Sequence, residues 1–295
     1  MRVIFLGTSG SAPTKARNLP SVAMEHEGEV ILFDCGEGTQ RQIMQFSVNI
    51  SKVSSVFITH AHGDHIIGVA GLVRTLALNK RTAPLRIYIP EGQESVIKSL
   101  IEFDNALIGY PIEIIPVKGG IVYKGDDYTI SAFKVEHTIK CYGFVFAEND
   151  KVHFIKQKAD QLGIKGKMYS ELVKKGQMTI NGKKVTLSSV TTGEKGRKMV
   201  YATDTKPSKV TQKAATGANL LIHEATYTEK FKEQADERGH ATALQVAKLA
   251  KAAKVNMLVL THISARYKDT TELLDEAKSV FKNTKVAQDG MVIEL

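Results

Sequence analysis

The stretch SVFITHAHGDHIIGVAGL, residues 55–72, places three histidines and an aspartate within six positions directly after an apolar run. Imidazole nitrogens and carboxylate oxygens together bind Zn²⁺ and similar borderline cations, and catalytic sites leave coordination positions open. The i, i+2 spacing of His60 and His62 suits the end of a strand, and Gly63 allows a turn after which Asp64 and His65 open a helix. We therefore predict a metal site at a strand-to-helix junction, with two ligand pairs that face in different directions.

The remainder of the chain predicts an α/β protein. Short β-branched runs such as RVIFLG, LRIYIP and YTISAFKV alternate with helical patterns. A capping box, TALQ from Thr242 to Gln245, marks the start of one helix and places His240 in the loop before it. The length of 295 residues suits one large α/β domain. Helices are predicted over residues 38–47, 66–79, 93–103, 243–254 and 270–282.

Metal-binding and acid–base residues also follow other apolar runs. Ligands of open α/β folds gather at the carboxyl ends of strands, so these side chains are expected to share one cleft. A lone histidine at a strand end is more often structural, but the recurrence favours a common site. By contrast, His26 in a strand-like run and His153 in a lysine-rich segment are expected to be structural. The residues at the strand ends are His137, Asp204, His223, Glu224 and His262.

The positive charge of the chain is concentrated in one segment. The formal net charge is +9, and residues 151–200 contain twelve Lys or Arg against three acidic residues, which accounts for all of it. The stretch 149–197 is also rich in glycine and poor in long apolar runs. We interpret it as an inserted arm that binds a polyanion, with a solvated lysine-rich insertion as the alternative.

The two cysteines and the N-terminus indicate where the protein works. Cys35 and Cys141 are isolated and no C-x-x-C motif occurs, so neither a disulfide framework nor a thiolate zinc site is predicted. The apolar stretch near the N-terminus is too short for a signal sequence, and no later segment approaches a membrane span. We expect a soluble cytoplasmic protein with no membrane partner.

The spacing of His60, His62, Asp64 and His65 resembles the H-x-H-x-D-H signature of the metallo-β-lactamase superfamily, which implies a four-layer αββα sandwich with two metal ions at the edge of its sheets. More specific motifs resemble the tRNase Z family, endonucleases that remove 3′ trailers from precursor tRNA. They are FLGTSGSAPTKARNLPS, DCGEGTQRQ, VEHTIKCYGF, YATDT, HEAT, GHAT and THISARY. The segment GKMYSELVKKG resembles the tip of the family's tRNA-binding arm, with Lys167 where proline is usual, and GHAT has Ala241 where serine is common.

The resemblance implies a role for each matching residue. One zinc ion would be held by His60, His62 and His137, and a second by Asp64, His65 and His262, with Asp204 bridging them and Mn²⁺ or Fe²⁺ as substitutes. Asp64 would also accept the proton of the attacking water. His240, held by Glu224, would donate a proton to the leaving 3′ oxygen, with His223 in a supporting role. The implied tRNA contacts are Lys15, Arg17, Asn18, Ser264, Arg266, Lys167, Lys174 and Lys175.

The leading hypothesis is a single metallo-β-lactamase-type catalytic domain, residues 1–295, with a tRNA-binding arm inserted at 149–197. It would be a zinc-dependent endoribonuclease that leaves a 3′-hydroxyl on tRNA and a 5′-phosphate on the trailer, and a homodimer whose arm holds tRNA cleaved by the other subunit. One alternative is a general phosphodiesterase or small-ester hydrolase of the same fold, which would need neither the arm nor PTKARN. A tRNA-binding protein with an inactive site is a third, against which the presence of all seven ligands argues.

Overall fold

The computed structural model describes residues 1–104 and 107–295. These residues form two compact units. The main unit comprises Met1–Phe146 and Lys198–Leu295, and the arm unit comprises Ala147–Arg197. Within the described ranges, no helix combines the length and the apolar character that crossing a bilayer requires.

The strands and helices are numbered in chain order. The strands are β1 (Arg2–Gly7), β2 (Ser9–Gly10), β3 (Ser21–His26), β4 (Glu29–Phe33), β5 (Val53–Phe57), β6 (Leu85–Pro90), β7 (Ile112–Val117), β8 (Gly120–Lys124), β9 (Tyr128–Val135), β10 (Cys141–Glu148), β11 (Lys151–Phe154), β12 (Gln177–Ile180), β13 (Lys183–Thr186), β14 (Thr191–Glu194), β15 (Lys198–Ala202), β16 (Leu220–Glu224), β17 (Met257–Thr261), β18 (Ile263–Ser264), β19 (Thr284–Val286) and β20 (Val292–Glu294). The helices are α1 (Thr39–Gln45), α2 (Gly63–Ile66), α3 (Gly68–Leu78), α4 (Glu94–Glu102), α5 (Lys156–Gln161), α6 (Met168–Lys175), α7 (Leu187–Val190), α8 (Lys209–Ala215), α9 (Lys232–Arg238), α10 (Ala243–Ala252) and α11 (Thr271–Val280).

Two sheets form the centre of the main unit. Their strand orders are β20-β1-β3-β4-β5-β6-β7 and β19-β17-β16-β15-β10-β9-β8. In the second sheet β15, β16 and β17 are parallel neighbours, and the register pairs Ala202 with His223 and Glu224 with Thr261. The carboxyl ends of these strands therefore meet at one edge, where polar residues follow them.

The buried side chains define four layers. Successive residues of a strand point to opposite faces of its sheet. In β1, Val3 and Phe5 belong to the core between the two sheets, whereas Ile4 and Leu6 belong to a second core that includes residues of α1, α3 and α4. A third core joins the other face of the second sheet to α8, α10 and α11. The predicted αββα sandwich is thus confirmed.

Most predicted helices lie within a few residues of the observed ones. The helix predicted over 66–79 corresponds to α3, which starts at Gly68 and is separate from the short α2 that ends at Ile66. The N–H of Gly68 donates to the carbonyl of Cys35 at 3.0 Å, so it is not available to continue α2. A β-carbon at Gly68 would lie 2.0 Å from the Gly36 carbonyl oxygen, so only glycine allows this close approach.

The arm unit has a small core of its own. Strands β11 and β14 pair antiparallel, as do β12 and β13. Long apolar runs are scarce in this part of the sequence, yet dispersed apolar residues pack together. Lys167 precedes α6 with φ −63°, an angle that proline also adopts, so this backbone is compatible with either residue. The buried core residues are Ala159, Ile164, Leu172, Ile180, Val185 and Val190.

Candidate metal centre

The seven predicted metal ligands lie together at the edge of the two sheets. They come from the junction between β5 and α3, from the ends of β9 and β17, and from the loop after β15. Two groups in which every candidate ligand atom lies within 4.8 Å of the others contain all seven residues. These groups are His60, His62, His137 and Asp204, and Asp64, His65 and His262.

In the first group, imidazole nitrogens face one another at short distances. His62 Nδ1 lies 2.9 Å from His60 Nε2 and 3.2 Å from His137 Nε2. Asp204 Oδ2 lies 3.7 Å from His60 Nε2 and 3.8 Å from His137 Nε2. Burial lowers the pKa of both His60 and His137, which favours the neutral imidazole that binds metals. Three ring nitrogens and one carboxylate oxygen therefore converge on one position.

In the second group, buried nitrogens lie close to carboxylates without hydrogen bonding to them. His65 Nε2 is 3.4 Å from Asp204 Oδ1, and His262 Nε2 is 3.0 Å from the same oxygen. Neither Nε2 atom forms a hydrogen bond with any residue that the structure describes. Asp64 Oδ2 lies 3.6 Å from His65 Nε2 and 3.7 Å from His262 Nε2. The two oxygens of Asp204 thus face different groups, as expected of a bridging carboxylate.

The charge around the second group also favours a cation. Burial lowers the pKa of His262, but Asp204 and Asp64 raise it more, to about 10. Burial likewise lowers the pKa of His65, and the carboxylates of Asp204 and Asp34 raise it well above the ordinary value. The carboxylates therefore stabilise positive charge at this position. Imidazole and carboxylate donors in this arrangement fit a divalent metal ion.

Asp34 orients one of the candidate ligands and was missed in the sequence analysis. His65 Nδ1 donates to its Oδ2 at 2.9 Å, and the hydroxyl of Tyr201 donates to the same oxygen at 2.9 Å. Thr59 N donates to Oδ1 at 2.8 Å. With the proton on Nδ1, the Nε2 of His65 is left free for a metal. A signal was present, because Asp34 directly follows the apolar strand β4.

His240 and Glu224 form a hydrogen-bonded pair beside the ligands. His240 Nδ1 lies 3.0 Å from Glu224 Oε1, and the His240 ring stacks on that of His262 with centroids 5.4 Å apart. Burial lowers the pKa of His240, but Glu224 raises it more, so the net shift is upward. The backbone N–H of Ala241 donates to Glu224 at 3.1 Å, a contact that serine could make equally well. A cavity of about 260 Å³ lies beside His137.

Glu224 and His262 are held in place by Thr226, which was likewise missed in the sequence analysis. The Thr226 hydroxyl lies 2.7 Å from Glu224 Oε2 and 3.0 Å from His262 Nδ1. His223 points elsewhere, with its Nδ1 donating to the Glu224 carbonyl at 2.8 Å. Among the histidines expected to be structural, His26 forms a hydrogen bond in which its Nε2 lies 2.9 Å from Asp127 Oδ2.

The predicted tRNA contacts fall into three classes. Arg17 and Asn18 bind the protein's own loops, since Arg17 Nη1 donates to the Ala287 carbonyl at 2.6 Å and Asn18 Nδ2 donates to the Glu37 carbonyl at 2.8 Å. The Arg266 guanidinium packs on the rings of Tyr227 and Phe231, and Ser264 is partly exposed. Like Arg266, four lysines are exposed, namely Lys15 in the main unit and Lys167, Lys174 and Lys175 in the arm unit.

Three residues of the site adopt a left-handed backbone conformation. The φ angles are 58° at Asp34, 52° at Asp204 and 56° at His262. Each residue lies within two positions of the end of a strand. Aspartate and histidine tolerate this conformation better than most residues, although it still costs about 1 kcal/mol or more. The sharp turn directs each side chain into the site.

Comparisons with known proteins agree with this geometry. A family model described as Anti-Pycsar protein Apyc1 matches residues 1–180, and one described as Beta-lactamase superfamily domain matches residues 171–263. Ribonuclease Z of Archaeoglobus fulgidus is 42% identical, with 100% of this chain and 97% of the relative covered. Ribonuclease Z of Methanothermobacter thermautotrophicus is 38% identical, with the same coverage.

A solved structure extends the similarity to three dimensions. The crystal structure of the short form of human tRNase Z superposes with a TM-score of 0.73 and 27% identity, and covers 100% of this chain and 99% of that one. YhfI from Bacillus subtilis, at 19% identity and a TM-score of 0.72, shares the metallo-β-lactamase fold. With relatives this similar over their full length, the chain belongs to the ribonuclease Z family of the metallo-β-lactamase superfamily.

Proposed function

We propose that the protein is a metal-dependent endoribonuclease that removes the 3′ trailer from precursor tRNA. The observation that carries the proposal is the combination of all seven metal ligands with the His240–Glu224 pair, in a chain similar to ribonuclease Z along its whole length. Cleavage would leave a 3′-hydroxyl on the tRNA and a 5′-phosphate on the trailer.

The metal ions are proposed to be two Zn²⁺ per subunit, with Mn²⁺ or Fe²⁺ as substitutes. His60, His62 and His137 would hold one ion, and Asp64, His65 and His262 the other, with Asp204 between them. Bound divalent ions make water acidic enough to attack at neutral pH and neutralise the charge that develops on the phosphate. The mixed nitrogen and oxygen donors support zinc.

Asp64 is suited to accept the proton of the attacking water. Burial raises its pKa, but the neighbouring imidazoles of His262 and His65 lower it more, so the carboxylate is ionised at neutral pH. Its Oδ2 accepts a hydrogen bond from the backbone N–H of Ser11 at 2.9 Å, which fixes its orientation. A carboxylate held in this way can take up a proton within the site.

His240 is suited to protonate the leaving 3′ oxygen of the tRNA. Glu224 raises the pKa of its imidazole against the effect of burial, which favours the protonated ring that can donate a proton. Glu224 is itself fixed by the backbone N–H of Thr205 at 2.6 Å. This arrangement holds the acid in one orientation beside His262.

The arm unit is proposed to bind the body of the tRNA. Its exposed lysines, including Lys167, Lys174 and Lys175, would contact phosphates, while Lys15, Ser264 and Arg266 would lie near the cleaved end. The protein is further proposed to be a homodimer in which the arm of one subunit holds the tRNA that the other subunit cleaves. Two buried free cysteines agree with work in the cytoplasm.

The test is incubation of the purified protein with a precursor tRNA that carries a 3′ trailer, followed by mapping of the product ends. We expect a single cut at the 3′ end of the mature tRNA and metal analysis with two ions per subunit. An activated aryl phosphodiester serves as the comparison substrate. Rapid hydrolysis of this ester with no cleavage of the precursor would favour the general phosphodiesterase instead.

A further inference from the structure

Asp289, in the turn between β19 and β20, is a partly buried carboxylate with no part in the chemistry above. Its Oδ1 accepts a hydrogen bond from the Thr8 hydroxyl at 2.7 Å. Its Oδ2 accepts from the backbone N–H of Asn18 at 2.6 Å and from Gln42 Nε2 at 3.0 Å. Three donors therefore converge on one side chain, and two of them belong to the same loop.

This loop comprises residues 8–18, between the end of β1 and the start of β3. Its two ends are joined, because the N–H groups of Thr8 and Ser9 both donate to the Asn18 carbonyl, at 3.0 and 2.9 Å. Arg17 Nη1 donates to the Thr8 hydroxyl at 2.7 Å and to the Ala287 carbonyl at 2.6 Å. Asp289 and the C-terminal turn thus anchor the base of the loop.

The loop also contacts two of the candidate metal ligands. Ser11 N donates to Asp64 Oδ2 at 2.9 Å. Gly10 lies against the His262 ring so closely that a β-carbon there would be 2.6 Å from the ring atoms. Strand β2 pairs with β18, which directly follows His262 in the chain. Asp64 and His262 belong to the same ligand group, so the loop supports one metal position in particular.

We propose that Asp289 is a positioning residue for the metal position formed by Asp64, His65 and His262. It holds the base of the loop so that the Ser11 N–H orients Asp64 and Gly10 packs on His262. Arg17 and Asn18 then act by holding the loop rather than by contacting RNA. The inference rests on the metal-dependent function proposed above, and its test requires no RNA.

The direct test is Asp289→Asn. Oδ1 and Oδ2 of Asp289 together accept from three donors. An amide keeps only one acceptor oxygen, and its NH₂ group faces the donors of the oxygen that it replaces. The loop therefore loses part of its anchor. The readout is Zn²⁺ affinity, measured by competition with a chelator. We expect one of two zinc ions to bind about 10- to 100-fold more weakly, as is typical when support of a ligand is removed, and the other to bind as in the wild type.

The matched control is Glu29→Gln. Glu29 is also a carboxylate that joins separate strands, since it accepts from the Ser54 hydroxyl at 2.7 Å and from the Tyr128 hydroxyl at 3.2 Å, but neither partner belongs to the loop. The Tm of the Glu29→Gln variant is expected to fall, while the affinity for both zinc ions stays as in the wild type. If it lost zinc as strongly as Asp289→Asn at a similar Tm, the effect would reflect general destabilisation and the proposal would be wrong.

A second variant, Thr8→Val, removes one donor to Asp289 with little change of shape. It should weaken the same zinc ion in the same direction, and the double variant should lose less zinc affinity than the two single changes added together, because both changes break the hydrogen bond between Thr8 and Asp289. Unchanged zinc affinity in Asp289→Asn would overturn the inference. If Asp289→Asn does not fold, unchanged zinc affinity in Thr8→Val would overturn it instead. A wild type that cleaves precursor tRNA alongside such a result would leave the proposed function intact.

Discussion

Replacing Asp34 with asparagine should invert the hydrogen bonding of His65. Oδ1 of Asp34 accepts from the Thr59 backbone N–H, which can only donate, so the amide oxygen must occupy that position. The new NH₂ group then replaces Oδ2 and faces His65 Nδ1 and the Tyr201 hydroxyl. His65 can pair with it only by accepting at Nδ1, which moves the ring proton to Nε2 and blocks the candidate metal ligand.

The size of the effect follows from these contacts. Retaining the metal-binding tautomer would set two donors against each other in a fully buried place, at a cost of about 1–3 kcal/mol. Since about 1.4 kcal/mol corresponds to a tenfold change in a binding constant, metal affinity should fall between roughly 5- and 150-fold. Mutation of a residue that supports a metal ligand typically lowers metal affinity about 10- to 100-fold, which is similar to this expected loss.

The assay is a zinc titration of Asp34→Asn against a competing chelator, with Tyr201→Phe as the matched variant. Tyr201→Phe removes one donor to the same oxygen without altering the His65 tautomer, so it should reduce stability by about 1 kcal/mol and leave zinc affinity unchanged. Wild-type zinc affinity in Asp34→Asn would refute the tautomer argument. Equal reductions of zinc affinity in the two variants would show that packing, and not proton placement, controls the site.

Three further predictions concern the proposed chemistry. Asp204→Ala should lose at least one ion and reduce activity by orders of magnitude with the fold retained, so two fully bound ions in this variant would contradict a bridging role. His240→Ala should lower turnover of precursor tRNA about 10²- to 10⁴-fold with metal content unchanged. Turnover of an activated aryl phosphodiester should fall less, because that leaving group needs no proton. Equal defects on both substrates would argue against His240 as the proton donor. Replacing residues 152–194 with a short linker should preserve hydrolysis of the aryl ester but weaken tRNA binding. The slope of log affinity against log salt concentration should flatten by about 0.7 to 0.9 for each phosphate that the arm unit no longer neutralises. An unchanged slope would mean that the arm unit does not bind RNA.

The location of the site could be predicted because strand ends are visible in the sequence. His137, Asp204 and His262 each follow a short apolar run, and the parallel pairing of β15, β16 and β17 brings such ends to one edge. The helix after His240 could also be predicted, since the capping box at Thr242 and Gln245 is present in the structure. Both signals are local and depend on a few adjacent residues.

The supporting residues could not be predicted in the same way. Asp34 has the appearance of another ligand, and only the distance to His65 Nδ1 shows that it orients the ring instead. Asp289 receives hydrogen bonds from Thr8 and Asn18, which are 281 and 271 residues earlier in the chain, and no spacing rule connects them. The predicted tRNA contact of Arg17 stays a prediction, and its hydrogen bonds to the Thr8 hydroxyl and the Ala287 carbonyl had no signal in the sequence.

The left-handed conformations at Asp34, Asp204 and His262 limit how this enzyme can be stabilised. Glycine would relax the backbone at each of these positions. In the proposed metal centre, however, each position needs its side chain, so glycine would remove a metal ligand or the partner of one. Substitutions that raise thermal stability should therefore accumulate away from these three turns, and any that arise within them should lower activity.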